Sequence, residues 1–286
     1  MGAAVVSDDV LALSDEDYAF VASLLYSRFG IQLGSQKRIL VAGRLSKRVR
    51  QLGLGSFPEY FAFLRADSSG NELSEFINRL TTNHSFFYRE KEHYEFLRKA
   101  AFPAIRAKLE RESGYQVRMW SAGCAAGEEV YTLAMVTRDF FGPAVDRSDF
   151  GLLATDISLA ALKTAREGKY PEQRLSELPP SLRSAAFREA EGGLFEVSPE
   201  IKRMVLFKRL NLMAESYPFK NPFDIVFCRN VMIYFDQASR ASLVRAFYRY
   251  LKPGGYLFIG HSETIPRADC PFDYVQPAIY RKGAGG

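Results

Sequence analysis

Residues 120–129 read WSAGCAAGEE, a strand-like run that breaks into small residues and then into two acids. Gly123 and Gly127, with only Ala and Cys between them, let the backbone pass close to a ligand, and the helix that follows would present unpaired N–H groups at its start. The spacing is not the GxGxxG of a dinucleotide site, and Glu128 and Glu129 would repel a pyrophosphate there. A ligand without phosphate that carries an amino group suits this turn better. The plain alternative is a tight turn whose acids favour the helix dipole. Asp156 closes a second hydrophobic run, FGLLATD, at the place where nucleotide-binding folds hold a ribose diol. It can also cap the next helix, although Ser158 is available for that. Two further runs end in polar residues: Asn211 follows VLFKRL, and Arg229 and Asn230 follow FDIVFC.

These residues need a frame that brings several strand ends together. From residue 100 onward, strand-like runs (QVRMWSAG, FGLLATDIS, VLFKRLNL, PFDIVFCRN, LKPGGYLFIGHSE, FDYVQPAIYRK) alternate with helical ones, GEEVYTLAMVTRDFF and Gln237 to Tyr250 among them. Alternation of this kind predicts a doubly wound, largely parallel α/β sheet, which binds ligands at the carboxyl ends of its strands near the point where strand order reverses. The polar strand tips, the missing phosphate cradle and the acids near a ligand amine together suggest a nucleoside fold for S-adenosylmethionine. The alternation breaks between Tyr170 and Lys208, where LPPSLRSAAFREAEGGLFEVSPEIKRMVLFKRL reads as a short helix and a small antiparallel insertion at about 185–208, turning at Gly192-Gly193.

The first 80 residues read as all helical. Ser14 can cap a helix that ends at Gly30, a second helix runs from about Ser35 to Leu52, a third starts near Phe57-Pro58, and NELSEFINRL is a fourth. On the second, Val41, Leu45, Val49 and Leu52 share one arc, while Lys37, Arg44 and Arg48 share another.

Composition excludes several classes. With 47% hydrophobic and 25% charged residues, the chain has the make-up of a soluble globular protein. No apolar run approaches the roughly 20 residues of a membrane span, and the acidic N-terminus is unlike a signal peptide. Three cysteines without a CxxC and three histidines (His84, His93, His261) without ligand spacing predict no metal site and fit a reducing cytoplasm. A net charge of +5 is too mild to demand nucleic acid.

The chain resembles the CheR family, the chemoreceptor glutamate methyltransferases. The matching stretches are LTTNHSFFYRE, WSAGCAAGEEVYTLAM, ATDIS, LFKRLNLM, FDIVFCRNVMIYFD and LKPGGYLFIGHSE, in the family's order. The resemblance implies a helical receptor-docking domain over 1–80, a segment over 81–100 that contributes to the cofactor site, and a Rossmann-like class I methyltransferase domain over 101–286. It implies S-adenosylmethionine as cofactor, S-adenosylhomocysteine as product, and cofactor contacts at Asn83, Ser85, Arg89, Gly123, Glu128 or Glu129 (Glu128 favoured), Asp156, Asn211, Leu212, Arg229 and Asn230. The family often has Thr where this chain has Ser85; the hydroxyl is kept.

The same resemblance places Arg89 and Tyr234 beside the reacting methyl. A glutamate side chain, with a pKa of about 4.3, is already ionised at neutral pH, so its methylation needs no general base. Arg89 suits a carboxylate as a two-donor fork and Tyr234 as a single directed donor. Lys37, Arg44 and Arg48 then read as a dock for glutamate-bearing receptor helices. His84 and His93 read as surface or interface residues. The implied protein is a cytoplasmic monomer acting on receptors. Its rivals are a non-enzymatic ligand-binding module of this fold and a nucleic-acid methyltransferase. Some members grip a receptor's C-terminal peptide on a longer loop of the β insertion; here only REAEGG separates Phe187 from Leu194, which predicts an enzyme independent of that tether.

Overall fold

The computed structural model describes residues 10–81 and 85–283. The chain divides into two compact units, Met1–Thr82 together with Tyr234–Asp236, and Asn83–Ile233 together with Gln237–Gly286.

Among the described residues the first unit holds four α-helices: α1 Asp15–Phe29, α2 Arg38–Gln51, α3 Phe57–Ala66 and α4 Asn71–Leu80. Ser14 accepts from Asp17 N in a full capping box, and Gly30 closes α1 at φ 69°. A 3₁₀ turn, Ser35–Lys37, precedes α2, so Lys37 lies outside the regular helix. Val41, Leu45 and Val49 are buried as their shared arc requires. The segment Tyr234–Asp236 joins this unit: Gln32 N donates to Tyr234 O at 2.8 Å, Ile31 bridges Phe235, and Tyr26 Oη donates to Asp236 at 2.7 Å.

The second unit opens with α5 Lys91–Phe96 and α6 Phe102–Arg111, joined by a π turn over Leu97–Ala101. Tyr94, Leu97, Ala101, Phe102 and Ile105 form one buried stripe along this stretch. The residues expected to be a linker over 81–100 therefore include core helix from Lys91 onward. The sheet follows: β1 Val117–Ala122, α7 Glu128–Phe141, α8 Ala144–Arg147, β2 Phe150–Asp156, α9 Leu159–Glu167, β3 Lys169–Pro171, α10 Pro180–Ala186, β4 Phe187–Ala190, β5 Leu194–Val197, α11 Pro199–Lys202, β6 Val205–Arg209, β7 Phe223–Cys228, α12 Gln237–Tyr250, β8 Leu251–Ile259, β9 Asp273–Gln276 and β10 Ile279–Arg281. Seven strands make one sheet in the order β6-β2-β1-β7-β8-β10-β9. The first five run parallel, and β10 and β9 are antiparallel. Strand order reverses between β1 and β7, so the ends of these two strands flank the ligand crevice of such a sheet.

The small antiparallel sheet has the order β3-β5-β4. Its boundaries differ from the expected 185–208. It begins at Lys169, because β3 pairs with β5, whereas Val205–Arg209 pairs with β2 in the main sheet. The β4–β5 connection is a three-residue turn, Glu191–Gly193, with Gly192 and Gly193 at φ 72° and 70°, not a two-residue hairpin turn.

Candidate active site

Past Ala122 the chain turns through three left-handed residues, Gly123 (φ 87°), Ala125 (φ 48°) and Gly127 (φ 99°). A Cβ at residue 123 would lie 2.4 Å from Val231 Cγ2, so only glycine fits there. The turn is laced to the tip of β2: Gly123 N and Cys124 N donate to Thr155 O at 2.8 and 2.9 Å, and Ala125 N donates to Asp156 Oδ2 at 2.9 Å. Ser158 N donates to Asp156 Oδ1 at 2.9 Å. Burial pushes the Asp156 carboxyl upward, and the N–H groups of Ser158 and Ala125 oppose it. The helix cap is not Asp156 but Ser158, whose Oγ accepts from Ala161 N at 3.1 Å. Each Asp156 oxygen thus keeps acceptor capacity beyond its one N–H. The tip of β6 is tied to the same place by Leu210 N donating to Asp156 O at 3.1 Å. Beyond it Asn211 Oδ1 accepts from Met213 N at 3.0 Å, and Leu212 O accepts from Tyr217 Oη at 2.6 Å.

The two acids of the turn point to different partners. Glu128, favoured as a cofactor contact, is fully buried and takes Arg174 Nη1 at 2.5 Å; Arg174 also donates to Ser85 O at 2.8 Å. Glu128 therefore braces the backbone of the Ser85 segment. Glu129 accepts from Ser121 Oγ at 2.7 Å and lies 3.3 Å from Arg229 Nε, which places it between the ends of β1 and β7 with a tenth of its side chain exposed. Burial raises the Glu129 carboxyl, and Arg229 counters it.

Arg229 is itself buried. It donates to Arg89 O at 2.6 Å and to Tyr94 Oη at 3.3 Å, and its Nε lies 3.3 Å from both Glu90 and Glu129. It positions the segment 89–90 by these bonds. Arg89 is partly buried, its guanidinium 5.5 Å from the Phe86 ring centre. Among the described residues no carboxylate forms an ion pair with Arg89. Phe87 wedges edge-on between Tyr170 and Phe187, and Tyr88 stacks on Tyr94 at 5.1 Å, so two of the three aromatics are packing that fixes the segment. Asn83 and His84 lie outside the described residues. His93, expected as a surface or interface residue, is fully buried, and desolvation with the nearby Arg229 charge pushes its imidazole down to about 2.

Asn230 adopts φ 60°, held by its N–H donating to Glu263 Oε2 at 2.9 Å. Glu263 also accepts from Gly260 N at 2.6 Å and Ile233 N at 3.2 Å, pinning the loops after β7 and β8 together. Glu263 and Arg174 are positioning residues that sequence reasoning missed. Their partners lie 30 or more residues away, apart from the local Gly260, and no local pattern marks them.

The SAM-binding domain of CheR methyltransferase matches residues 83–280, and the all-alpha domain of CheR methyltransferase matches residues 16–81. The chain belongs to the CheR methyltransferase family. It is 40% identical over 270 residues to a chemotaxis protein methyltransferase of Borreliella burgdorferi, covering 94% of this chain and 95% of that one. A second, from Escherichia coli, is 39% identical over 273 residues, covering 94% and 92%. A probable chemotaxis protein methyltransferase of Rhizobium etli is 39% identical over 269 residues, covering 92% and 99%. The chain is thus an S-adenosylmethionine-dependent methyltransferase of chemotaxis. The site suits that cofactor: a side-chain-free turn at Gly123, a buried carboxylate with spare acceptors at Asp156, and Glu129 in place of a phosphate cradle.

The remaining site expectations fall in the helical unit. Tyr234 has its ring 5.3 Å below Lys37 Nζ. Arg44 Nη1 donates to the carbonyls of Arg79, Leu80 and Thr81 at 3.0–3.3 Å, closing the end of α4. Arg48 forms a two-pronged pair with the buried Glu72 at 3.0 and 2.5 Å, to which Tyr60 Oη also donates at 2.8 Å. Arg44 and Arg48, two of the three residues of the expected basic dock, thus bond inside the helical unit and are partly exposed. The exposed residues of α2 are Ile39, Leu40, Lys47, Arg50 and Gln51. No helix among the described residues is long and apolar enough to cross a membrane.

Proposed function

We propose that this methyltransferase esterifies glutamate side chains on the cytoplasmic helices of chemoreceptors. The observation that carries the reading is Arg89: a partly exposed guanidinium beside an aromatic face, its backbone fixed by Arg229 at 2.6 Å, with no carboxylate ion pair among the described residues. Such a group receives an incoming carboxylate through two parallel N–H bonds. When bound, S-adenosylmethionine supplies an electrophilic methyl on sulfur. Asp156 takes the ribose hydroxyls with the acceptor capacity its two N–H bonds leave. Glu129, not Glu128, is the acid for the methionine amine, because Glu128 is spent on Arg174. Asn211, Leu212 and Asn230 line the neighbouring strand ends, and Ser85 and Asn83 contribute through the family resemblance. Arg89 strips water from the acceptor and orients one oxygen, which is the catalytic task when the nucleophile is already ionised. The resemblance assigns Tyr234 one directed hydrogen bond; Tyr234→Phe lowering turnover more than cofactor affinity is the expected signature.

The three-residue β4–β5 turn, all of it exposed, offers little surface to grip a peptide, which supports activity independent of a receptor tail tether. The test is transfer of labelled methyl to a receptor cytoplasmic fragment. Label released as methanol by mild base, and lost when the fragment's glutamates are replaced by alanine, is the expected result. Base-stable label would contradict carboxyl methylation.

A further inference from the structure

Glu90, His93 and His261 meet at one place in the α/β unit, with one ligand-capable atom from each within 4.8 Å of the others. The rings of His93 and His261 lie 4.8 Å apart at 82°. His93 is fully buried, yet neither of its ring nitrogens has a hydrogen-bond partner among the described residues. Its Nδ1 is 3.6 Å from Glu90 Oε2, beyond hydrogen-bond reach. A buried imidazole with both nitrogens unmet is costly unless something occupies the space it faces.

We propose that Glu90, His93 and His261 form a binding site for a divalent first-row transition metal, Zn²⁺ in the first instance. Two imidazoles and one carboxylate are a donor set for such ions and a poor one for Ca²⁺ or Mg²⁺, which take oxygen ligands. Metal–ligand distances of about 2.0–2.2 Å require the three atoms to close by shifts on the order of 1 Å. The exposed His261 supplies the entry side. Its own N–H donates to Glu90 Oε1 at 3.2 Å, which orients the carboxylate as outer contacts do in metal sites. The Arg229 charge does not veto the ion. Arg229 lies 3.3 Å from Glu129 as well as from Glu90, so it keeps a carboxylate when Glu90 turns to the metal. Occupancy would clamp the loop after β8 to the start of α5. No ligand spacing is legible along the chain because His261 lies 171 residues from Glu90.

The test is a Co²⁺ titration of the tag-free, chelator-treated full chain, read by visible absorption, with Zn²⁺ as competitor. One Co²⁺ per chain, displaced by Zn²⁺, is expected. His261→Ala and Glu90→Gln should each weaken binding at least about tenfold, and His84→Ala should bind as the parent does. His261 is exposed, so His261→Ala remains informative even if variants of the buried His93 fail to fold. Metal should also raise the thermal midpoint of the parent and not of His261→Ala. Absence of saturable Co²⁺ binding, a weakening below about tenfold in either ligand variant, or a loss in His84→Ala overturns the site.

Discussion

In the helical unit Arg44 gives its guanidinium to three carbonyls at the end of α4, and Arg48 pairs with a buried carboxylate. In the α/β unit Arg89 faces an aromatic ring and forms no carboxylate pair among the described residues, although Arg229 beside it takes two. All four are arginines, and their surroundings decide whether the charge is spent on the fold or kept for a ligand. A charge already satisfied by its own chain cannot serve a partner without leaving a buried acid or carbonyl unmet. A charge whose backbone is held and whose tip forms no carboxylate pair among the described residues can.

The comparison can be broken first at Arg48. Arg48→Ala strands the buried Glu72 with Tyr60 as its remaining hydroxyl donor, and should cost about 3 kcal/mol in urea unfolding while turnover per folded molecule is unchanged. A stable variant with a raised receptor KM would instead place Arg48 in the dock. Asp156→Asn should weaken S-adenosylmethionine binding at least about tenfold in calorimetry, since charge-assisted bonds of roughly 1.5–3 kcal/mol each are lost. Burial raises the Asp156 pKa above 3.8 in the folded chain, so its stabilising contribution is present below that value and is lost as pH rises through the folded pKa. The cofactor-free Asp156→Asn variant should therefore lose less stability than the parent as pH rises from acid to neutral, measured by thermal melts. Lys47→Glu, on the exposed side of α2, should raise receptor KM roughly two- to fivefold and flatten its salt dependence, with cofactor affinity intact. Removing the receptor's C-terminal tail should change the methylation rate little or not at all.

The parts that were legible in the sequence are local ones. The turn at Gly123–Glu129, the acid ending β2, the capped α1 and the bounds of α4 and α12 each rest on neighbours within a few residues. Glu129 was not separable from Glu128, because adjacent helical positions diverge only once Ser121, Arg174 and Arg229 are placed around them. The partners of Arg44 and Arg48 were not legible because a helical arc shows which side chains share a face but not what packs on it. His93 read as an ordinary surface or interface residue because the wall that buries it, Phe227 and Phe258, comes from strands far along the chain. The stretch from Lys91 was assigned to the linker although it is helix, and a π turn shifts its apolar spacing between Leu97 and Ala101.

Arg89→Ala carries the central claim. At saturating S-adenosylmethionine, the rate of methanol-releasing label incorporated into a receptor fragment should fall about 100-fold, the scale of one lost charge-stabilising donor. The unfolding midpoint should stay at the parent value, because the Arg89 side chain makes no ion pair within the described fold. A turnover within about twofold of the parent in the folded variant would contradict Arg89 as the carboxylate receptor.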